Sequence, residues 1–297
     1  MSLSKNRAYL AWAVLCLVWG TTYLAIRVAL ESIPPLLMAG ARWIVAGALL
    51  IAFFRLRGER LPDKHHWLSL AVRGVLLIGL GNGAVVWAEQ TVPSGLTAVF
   101  VAVNPFWMVG IDALMGDGKA PTVRQVVGLF VGFLGIVLLV SPDARLAVGG
   151  RGFWSGFIAT QLACVGWSIG STYARQRAHR QKDTHTLATV AFEMLFGGVV
   201  LLGSGLMLGE RLPVVIAPRS AVAFVYLIVF GSIVAFSCYR YALQHLPVAT
   251  LSLYVYANTV IAVFLGTLVL AEPFNWRMGT GAAVVLVGIG LVKEQDG

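Results

Sequence analysis

The pentapeptide Gly58-Glu59-Arg60-Leu61-Pro62 returns unchanged as Gly209-Glu210-Arg211-Leu212-Pro213, a shift of 151 positions in a chain of 297 residues. A match of this length, at nearly half the chain, marks two copies of one unit. Other landmarks keep almost the same offset. Gln90, Pro93 and Asn104 return as Gln244, Pro247 and Asn258, and Arg124, Gly128 and Gly135-Ile136 return as Arg277, Gly281 and Gly288-Ile289. The repeat divides the chain into residues 1–146 and 147–297.

Composition says where such a chain can live. Hydrophobic residues make up 58% of it and charged residues 12%, about half the usual soluble share. The mean hydropathy is +0.82. A water-soluble globule has no interior large enough for this much apolar surface, so lipid must cover part of it. The net charge of +9 would suggest nucleic acid in a soluble protein. Here the cations sit in short connections between apolar runs, the pattern that orients membrane helices, and no nucleic-acid partner is expected. Cys16, Cys164 and Cys238 lie far apart in apolar segments, which fits neither a disulfide framework nor a zinc site. The basic, then apolar, N-terminus lacks a small-residue cleavage signal and reads as a retained first span.

A membrane-crossing helix needs about 20 mostly apolar residues. That ruler finds ten candidates, at 8–28, 34–54, 68–91, 95–116, 124–141, 152–174, 186–208, 219–243, 248–271 and 277–292. The expected fold is an all-α integral membrane protein of ten transmembrane helices. Five spans per unit is an odd number, so the second unit must enter the bilayer upside down. With both termini cytoplasmic, 13 Lys and Arg residues fall in inner segments and five in outer ones, in accord with the positive-inside rule. The two copies of the pentapeptide then face opposite sides, as helix connections. The expected architecture is two inverted five-helix repeats around a central cavity.

At this point the residues resemble a known family. Trp19-Gly20-Thr21-Thr22-Tyr23, Ala41-Arg42-Trp43 with Ala46-Gly47, Ala88-Glu89-Gln90 and Ala271-Glu272-Pro273 look like the EamA-type drug/metabolite transporters. The first unit departs from the pattern at Gly116-Asp117-Gly118, which has no counterpart of Glu272. The resemblance implies a basket of ten helices whose first, third, fourth, sixth, eighth and ninth members line a cavity. It also implies export of small metabolites, often amino acids, across the bacterial inner membrane.

A transporter needs polar groups and stacking faces near the bilayer midplane, and polar side chains inside apolar spans are the places to look. Asn104 and Asn258 occupy equivalent positions in the fourth and ninth spans. Their amides can meet a substrate's carboxylate and ammonium, or simply tie two helices together. Pro105 frees the carbonyl of Val101 next to Asn104. Trp19, Trp87, Trp107, Trp167, Tyr239 and Tyr254 offer rings for an apolar or aromatic substrate, the alternative being helix packing or the interfacial belt. Tyr254 shares a helical face with Asn258.

Glu89 and Asp112, nearer span ends, are the candidate proton-coupling carboxylates; solvated span ends are the plainer reading. Arg42 and Glu193, again 151 positions apart, could pair across the pseudo-twofold axis or find other partners. Arg240 is expected to snorkel to the cytoplasmic surface, and Arg27 to the opposite one. Gly128 with Gly132, and Gly166 with Gly170, read as close-packing faces, and Gly79, Gly81 and Gly83 as a weakened helix.

No nucleophile elbow, Walker loop or metal-ligand cluster occurs, so no cofactor is expected. The leading reading is a secondary transporter, plausibly monomeric, exporting amino acids or similar small metabolites by alternating access. The same fold exporting hydrophobic drugs or lipid-linked molecules is the alternative. An integral membrane enzyme is the remote one, since it would need clustered acid, base or metal ligands.

Overall fold

A computed structural model describes residues 3–90, 92, 97, 100–115, 120–147, 152–178, 186–212, 215–269 and 276–293. Glu272 and Gly116-Asp117-Gly118, singled out in the sequence, lie outside these residues. The described residues are helical with no strand among them. We label the helices α1 (Leu3–Ala29), α2 (Pro35–Leu56), α3 (Lys64–Ala88), α4 (Asn104–Met115), α5 (Val123–Ala147), α6 (Phe153–Ala178), α7 (Thr186–Met207), α8 (Pro218–His245), α9 (Tyr254–Val269) and α10 (Trp276–Lys293). A short helix, Val248–Ser252, leads into α9. By length and composition, α1, α2, α3, α7 and α8 can each cross a membrane, and α5, α9 and α10 contain shorter apolar runs. Leu10, Leu17, Leu49, Phe53, Leu134, Leu162, Val222 and Leu286 are among many large side chains exposed on the outer surface. An apolar belt of this kind is what lipid contact requires.

The repeated pentapeptide has a local physical cause. Gly58 and Gly209 adopt φ of 69° and 82°, where a side chain would be strained. Each ends a helix in the same way. Gly58 and Glu59 donate to the carbonyls of Arg55 and Phe54, and Gly209 and Glu210 to those of Leu206 and Gly205. This is the Schellman closure of a helix C-terminus. Pro35 and Pro218 open α2 and α8 at the first turn, where a missing N–H costs nothing.

The pentapeptide copies also report the inversion. The first follows the C-terminus of α2. The second sits at the N-terminus of α2, where the Glu210 carboxylate accepts from the backbone N–H groups of Leu36 (3.1 Å) and Leu37 (2.8 Å). The two loops therefore lie at opposite ends of one 22-residue helix, about 33 Å apart at 1.5 Å per residue. The helix pairings repeat the exchange. Across the halves α2 packs on α7 and α5 on α10; α1 packs on α8 and α9, and α6 on α3 and α4.

Glycines make the self-paired contacts close. A Cβ on Gly40 would lie 2.5 Å from the backbone N of Leu202, and one on Gly288 2.5 Å from the backbone N of Gly132. A Cβ on Gly166 or Gly170 would strike Leu80 or Leu77 of α3. The close-packing expectation for these stripes holds.

Two irregularities go beyond the weakened glycine stretch and the Pro105 kink legible in the sequence. The middles of α3 (Val75–Asn82) and α8 (Leu227–Val234) are π-helical, at matching places in the two halves. The α-helices α4 and α9 each start after a break, at Ala102–Val103 and at Leu253. Irregular backbone of this kind survives in a membrane only where it is buried in protein or lines a cavity.

One charge expectation needs correcting, and one open pairing is decided. Arg42 does not pair with Glu193; its Nη2 donates to Asn82 Oδ1 at 3.0 Å. Arg240 does not snorkel. It is fully buried and donates from Nη2 to Glu193 Oε1, which also accepts from Arg73 Nη1, both at 3.1 Å. Packing α3 and α8 on α7 brings a second cation to Glu193, and a chain walk along any single helix cannot foresee that. Arg27 is exposed.

Candidate functional site

A cavity opens among seven of the helices, bounded by Trp19, Tyr23 and Ile26 of α1, Arg42 and Trp43 of α2, and Asn82, Val86 and Glu89 at the end of α3. The other walls come from Val101 and Asn104, Cys164 and Trp167 of α6, Gly231 of α8, and Tyr254 and Asn258 of α9. Counted as space open to a water molecule's centre, its volume is ≈ 120 Å³. One water needs roughly 10–15 Å³ on that measure, so a small organic molecule fits. The expected lining helices all contribute. Helix α2, which the resemblance leaves out of the lining, adds Arg42 and Trp43.

The cavity's position along the helices is asymmetric. Its residues lie in the second half of α1, the first half of α2 and the last third of α3. They therefore run from the middle of the protein toward the end where α1 stops and α2 begins. The other half is closely packed among the described residues. Leu70, Leu77, Ser171, Ala174, Met194, Phe236, Tyr239 and Leu243 are buried there, together with Arg73, Glu193 and Arg240.

An aromatic cluster forms the floor between the two halves. Trp19 lies 5.5 Å from Trp167, 5.7 Å from Tyr239 and 5.2 Å from Tyr254, measured between ring centroids. Edge and offset-stacked pairs at these separations each add about 0.5–1.5 kcal/mol beyond burial. The indole N–H of Trp19 donates to the Gly231 carbonyl at 3.0 Å, so the π-helical stretch of α8 orients the ring. The Tyr239 hydroxyl shares a hydrogen bond with Ser171. Tyr239 thus supports the floor from below, outside the cavity lining.

Both asparagines face the cavity and are almost fully buried, at 2% and 3% exposure. Asn104 Oδ1 is 3.4 Å from the Ser168 hydroxyl, a long contact at best. Asn258 Oδ1 has no hydrogen-bond partner. Neither amide bonds the other, so the tie between α4 and α9 considered from the sequence is not formed. Val101 lines the cavity, and its carbonyl is 4.0 Å from Cys164 Sγ.

The remaining candidates scatter. Trp87 is 37% exposed and outside the lining, because it follows Val86 on the opposite face of α3. Trp107 is 38% exposed and donates to Gln161 at the surface. Of the two carboxylates, Glu89 is half-buried in the cavity wall. Asp112 lies 4.0 Å from Arg175, with both side chains about a quarter exposed. Arg42, Asn82, Trp43, Tyr23 and Thr22 are lining residues that the sequence reading did not place there. The usable signal was an Arg and an Asn deep in apolar runs.

The arrangement suits binding rather than bond chemistry. The polar groups of the cavity include amides, a guanidinium and one carboxylate. Among the described residues no group of three His, Cys, Asp or Glu could hold a metal ion.

Comparison with known proteins agrees with this geometry. The sequence pattern of the EamA-like transporter family matches residues 6–141 and again residues 154–293. The chain is 38% identical to the uncharacterised inner membrane transporter YedA of Escherichia coli K12, over 94% of its own length and 88% of the relative's. It is 28% identical to protein PecM of Dickeya dadantii over 94% and 89% of the two lengths. A solved crystal structure superposes with a TM-score of 0.79 at 21% identity, covering 98% of this chain and 97% of that one, a likeness of fold. The protein is a multi-pass inner-membrane protein. With the family pattern matched in both halves, the chain belongs to the EamA-like transporter family of drug/metabolite transporters.

Proposed function

We propose that this protein is a secondary transporter that exports small metabolites, amino acids with apolar or aromatic side chains foremost, by alternating access. One observation carries the reading: a cavity built by helices from both halves reaches the middle of the protein and stops at a packed aromatic floor. The inverted pairing of the halves supplies a second state, in which the packed half opens and the hollow half closes. The finer topology belongs to the same proposal. Residues 1–146 and 147–297 each cross the bilayer five times, both termini are cytoplasmic, and the cavity then occupies the outer half.

The transporter works as a monomer, needs no cofactor and is not an enzyme. Proton coupling, where it operates, runs through Glu89.

The test is flux from liposomes containing the purified protein and loaded with labelled amino acids, with a fluorescent hydrophobic drug as a second cargo. Efflux of amino acids above that from empty liposomes is the expected result. Efflux of the drug alone would replace the substrate class, and no flux of either would overturn the reading.

A further inference from the structure

Among the described residues three guanidiniums are buried, and they are not treated alike. Arg73 and Arg240 share the carboxylate of Glu193. Arg42 is 3% exposed and, among the described residues, has no carboxylate within ion-pair distance. Its Nη2 donates to Asn82 Oδ1, and its Nε–H is buried with no acceptor. A buried cation held only by a neutral amide is costly, and truncating a partner of such a charge costs several kcal/mol elsewhere in proteins. An anion arriving in the cavity would relieve that cost. The guanidinium fork matches a carboxylate.

The guanidinium is aimed, not loose. Arg42 Cζ stands 4.8 Å from the centroid of the Trp43 ring, and Trp43 Nε1 donates at 3.1 Å to the same Asn82 oxygen that Arg42 uses. Asn82 ends the π-helical stretch of α3, one to two turns before Glu89. Glu89 lines the same cavity and interacts electrostatically with Arg42, yet closes no ion pair with it. The cavity thus presents one cation and one anion, held apart, above a floor of aromatic rings.

Resting on the transport reading above, we infer that Arg42 and Glu89 form the headgroup site for a zwitterion, with its carboxylate on Arg42 and its ammonium on Glu89. The side chain of the ligand then lies on Trp19, Trp167 and Tyr254. Asn258 Oδ1, buried and without a donor, is a further acceptor in the same cavity. A site built this way rejects a molecule that lacks either charge, because the group left facing it stays buried and unpaired.

The test compares three ligands of one shape: L-phenylalanine, phenethylamine without the carboxylate, and 3-phenylpropionate without the ammonium. L-leucine with isopentylamine and 4-methylpentanoate forms a second series. Flux in proteoliposomes is paired with ligand-induced thermal shift of the purified protein. Wild type is expected to prefer the amino acid over both analogues by at least about tenfold. Glu89→Gln removes the preference over the carboxylate-only analogue, and Arg42→Gln the preference over the amine.

Should Arg42→Gln fail to fold, Arg42→Lys keeps the charge without the fork and is expected to weaken amino-acid binding about tenfold. A folded Glu89→Gln protein that keeps the wild-type preferences, together with a folded Arg42→Lys protein that binds the amino acid as tightly as wild type, would overturn the headgroup site. Wild type that moves an uncharged drug but no zwitterion would also overturn it while leaving a transporter. Wild type that moves nothing would overturn both readings.

Discussion

Arg240 donates to Glu193 across 3.1 Å with neither side chain exposed by more than 1%, and Arg73 approaches the same carboxylate oxygen at the same distance. This triad joins α3, α7 and α8 in the packed half of the protein, one positive charge in excess. Among the described residues the other carboxylate oxygen, Glu193 Oε2, and Arg240 Nε and Nη1 have no hydrogen-bond partner. The triad is therefore an expensive way to hold three helices together, and its stability depends on all three members.

Glu193→Gln is expected to lower the thermal midpoint in detergent, because removing one partner of a buried pair costs about 3–5 kcal/mol. Replacing all three members together, as Arg73→Met, Glu193→Leu and Arg240→Met, is expected to recover most of that loss. Fluorescence-detected size exclusion after heating measures both. A triple variant no more stable than Glu193→Gln would contradict this account.

Trp19 touches three aromatic rings and also faces the cavity. Trp19→Ala should reduce flux about tenfold in protein that still folds, the equivalent of losing aromatic contacts worth about 1.5 kcal/mol. Trp19→Phe keeps the ring and loses the bond to Gly231, and should fall between. Trp87→Ala and Trp107→Ala remove rings outside the lining and should leave flux within twofold of wild type, about 0.4 kcal/mol.

Gly288 and Gly290 are two residues apart on α10 and should answer oppositely. A Cβ on Gly288 would meet the backbone of Gly132 at 2.5 Å and that of Gly128 at 2.7 Å, and backbone cannot swing aside. Gly288→Ala must separate α10 from α5 and should cost about 1–3 kcal/mol. A Cβ on Gly290 meets nothing within 4 Å. Gly290→Ala should be neutral or stabilising by up to about 1 kcal/mol, and melting curves of the two variants compare them directly.

Glu89 faces the cavity and Asp112 faces Arg175 at the surface. Efflux measured with and without a pH gradient should lose any response to the gradient in Glu89→Gln and retain it in Asp112→Asn. An unchanged response in Glu89→Gln would remove that carboxylate from coupling.

Much of the fold was legible because membrane helices must satisfy their own backbone and face lipid. Length and hydropathy therefore marked long apolar helices, and the repeated pentapeptide marked a duplication that the family pattern matches twice. Its glycines recur because the ends of α2 and α7 each require a residue at positive φ. The half-buried carboxylate Glu89 and the rings Trp19, Trp167 and Tyr254 were picked out as chemistry out of place in apolar runs. Arg42 was noticed for the same reason, and of the two pairings left open, Glu193 or another partner, the second is the one formed. The offset of 151 that links it to Glu193 relates equivalent positions, and equivalent positions in inverted units lie on opposite sides of the membrane.

By itself the sequence determined an all-helical membrane protein built from two copies of one unit, since composition, hydropathy and the repeat all point there. Only the tertiary structure decided which charges meet. Arg240 could be a surface cation or a buried one, and the choice turned on Glu193 arriving from α7. Arg42 could be tied off or left facing a cavity, and the choice turned on Asn82 rather than a carboxylate standing beside it. The energy of a charge in low dielectric depends on partners within a few ångströms, and those partners come from helices distant in the chain.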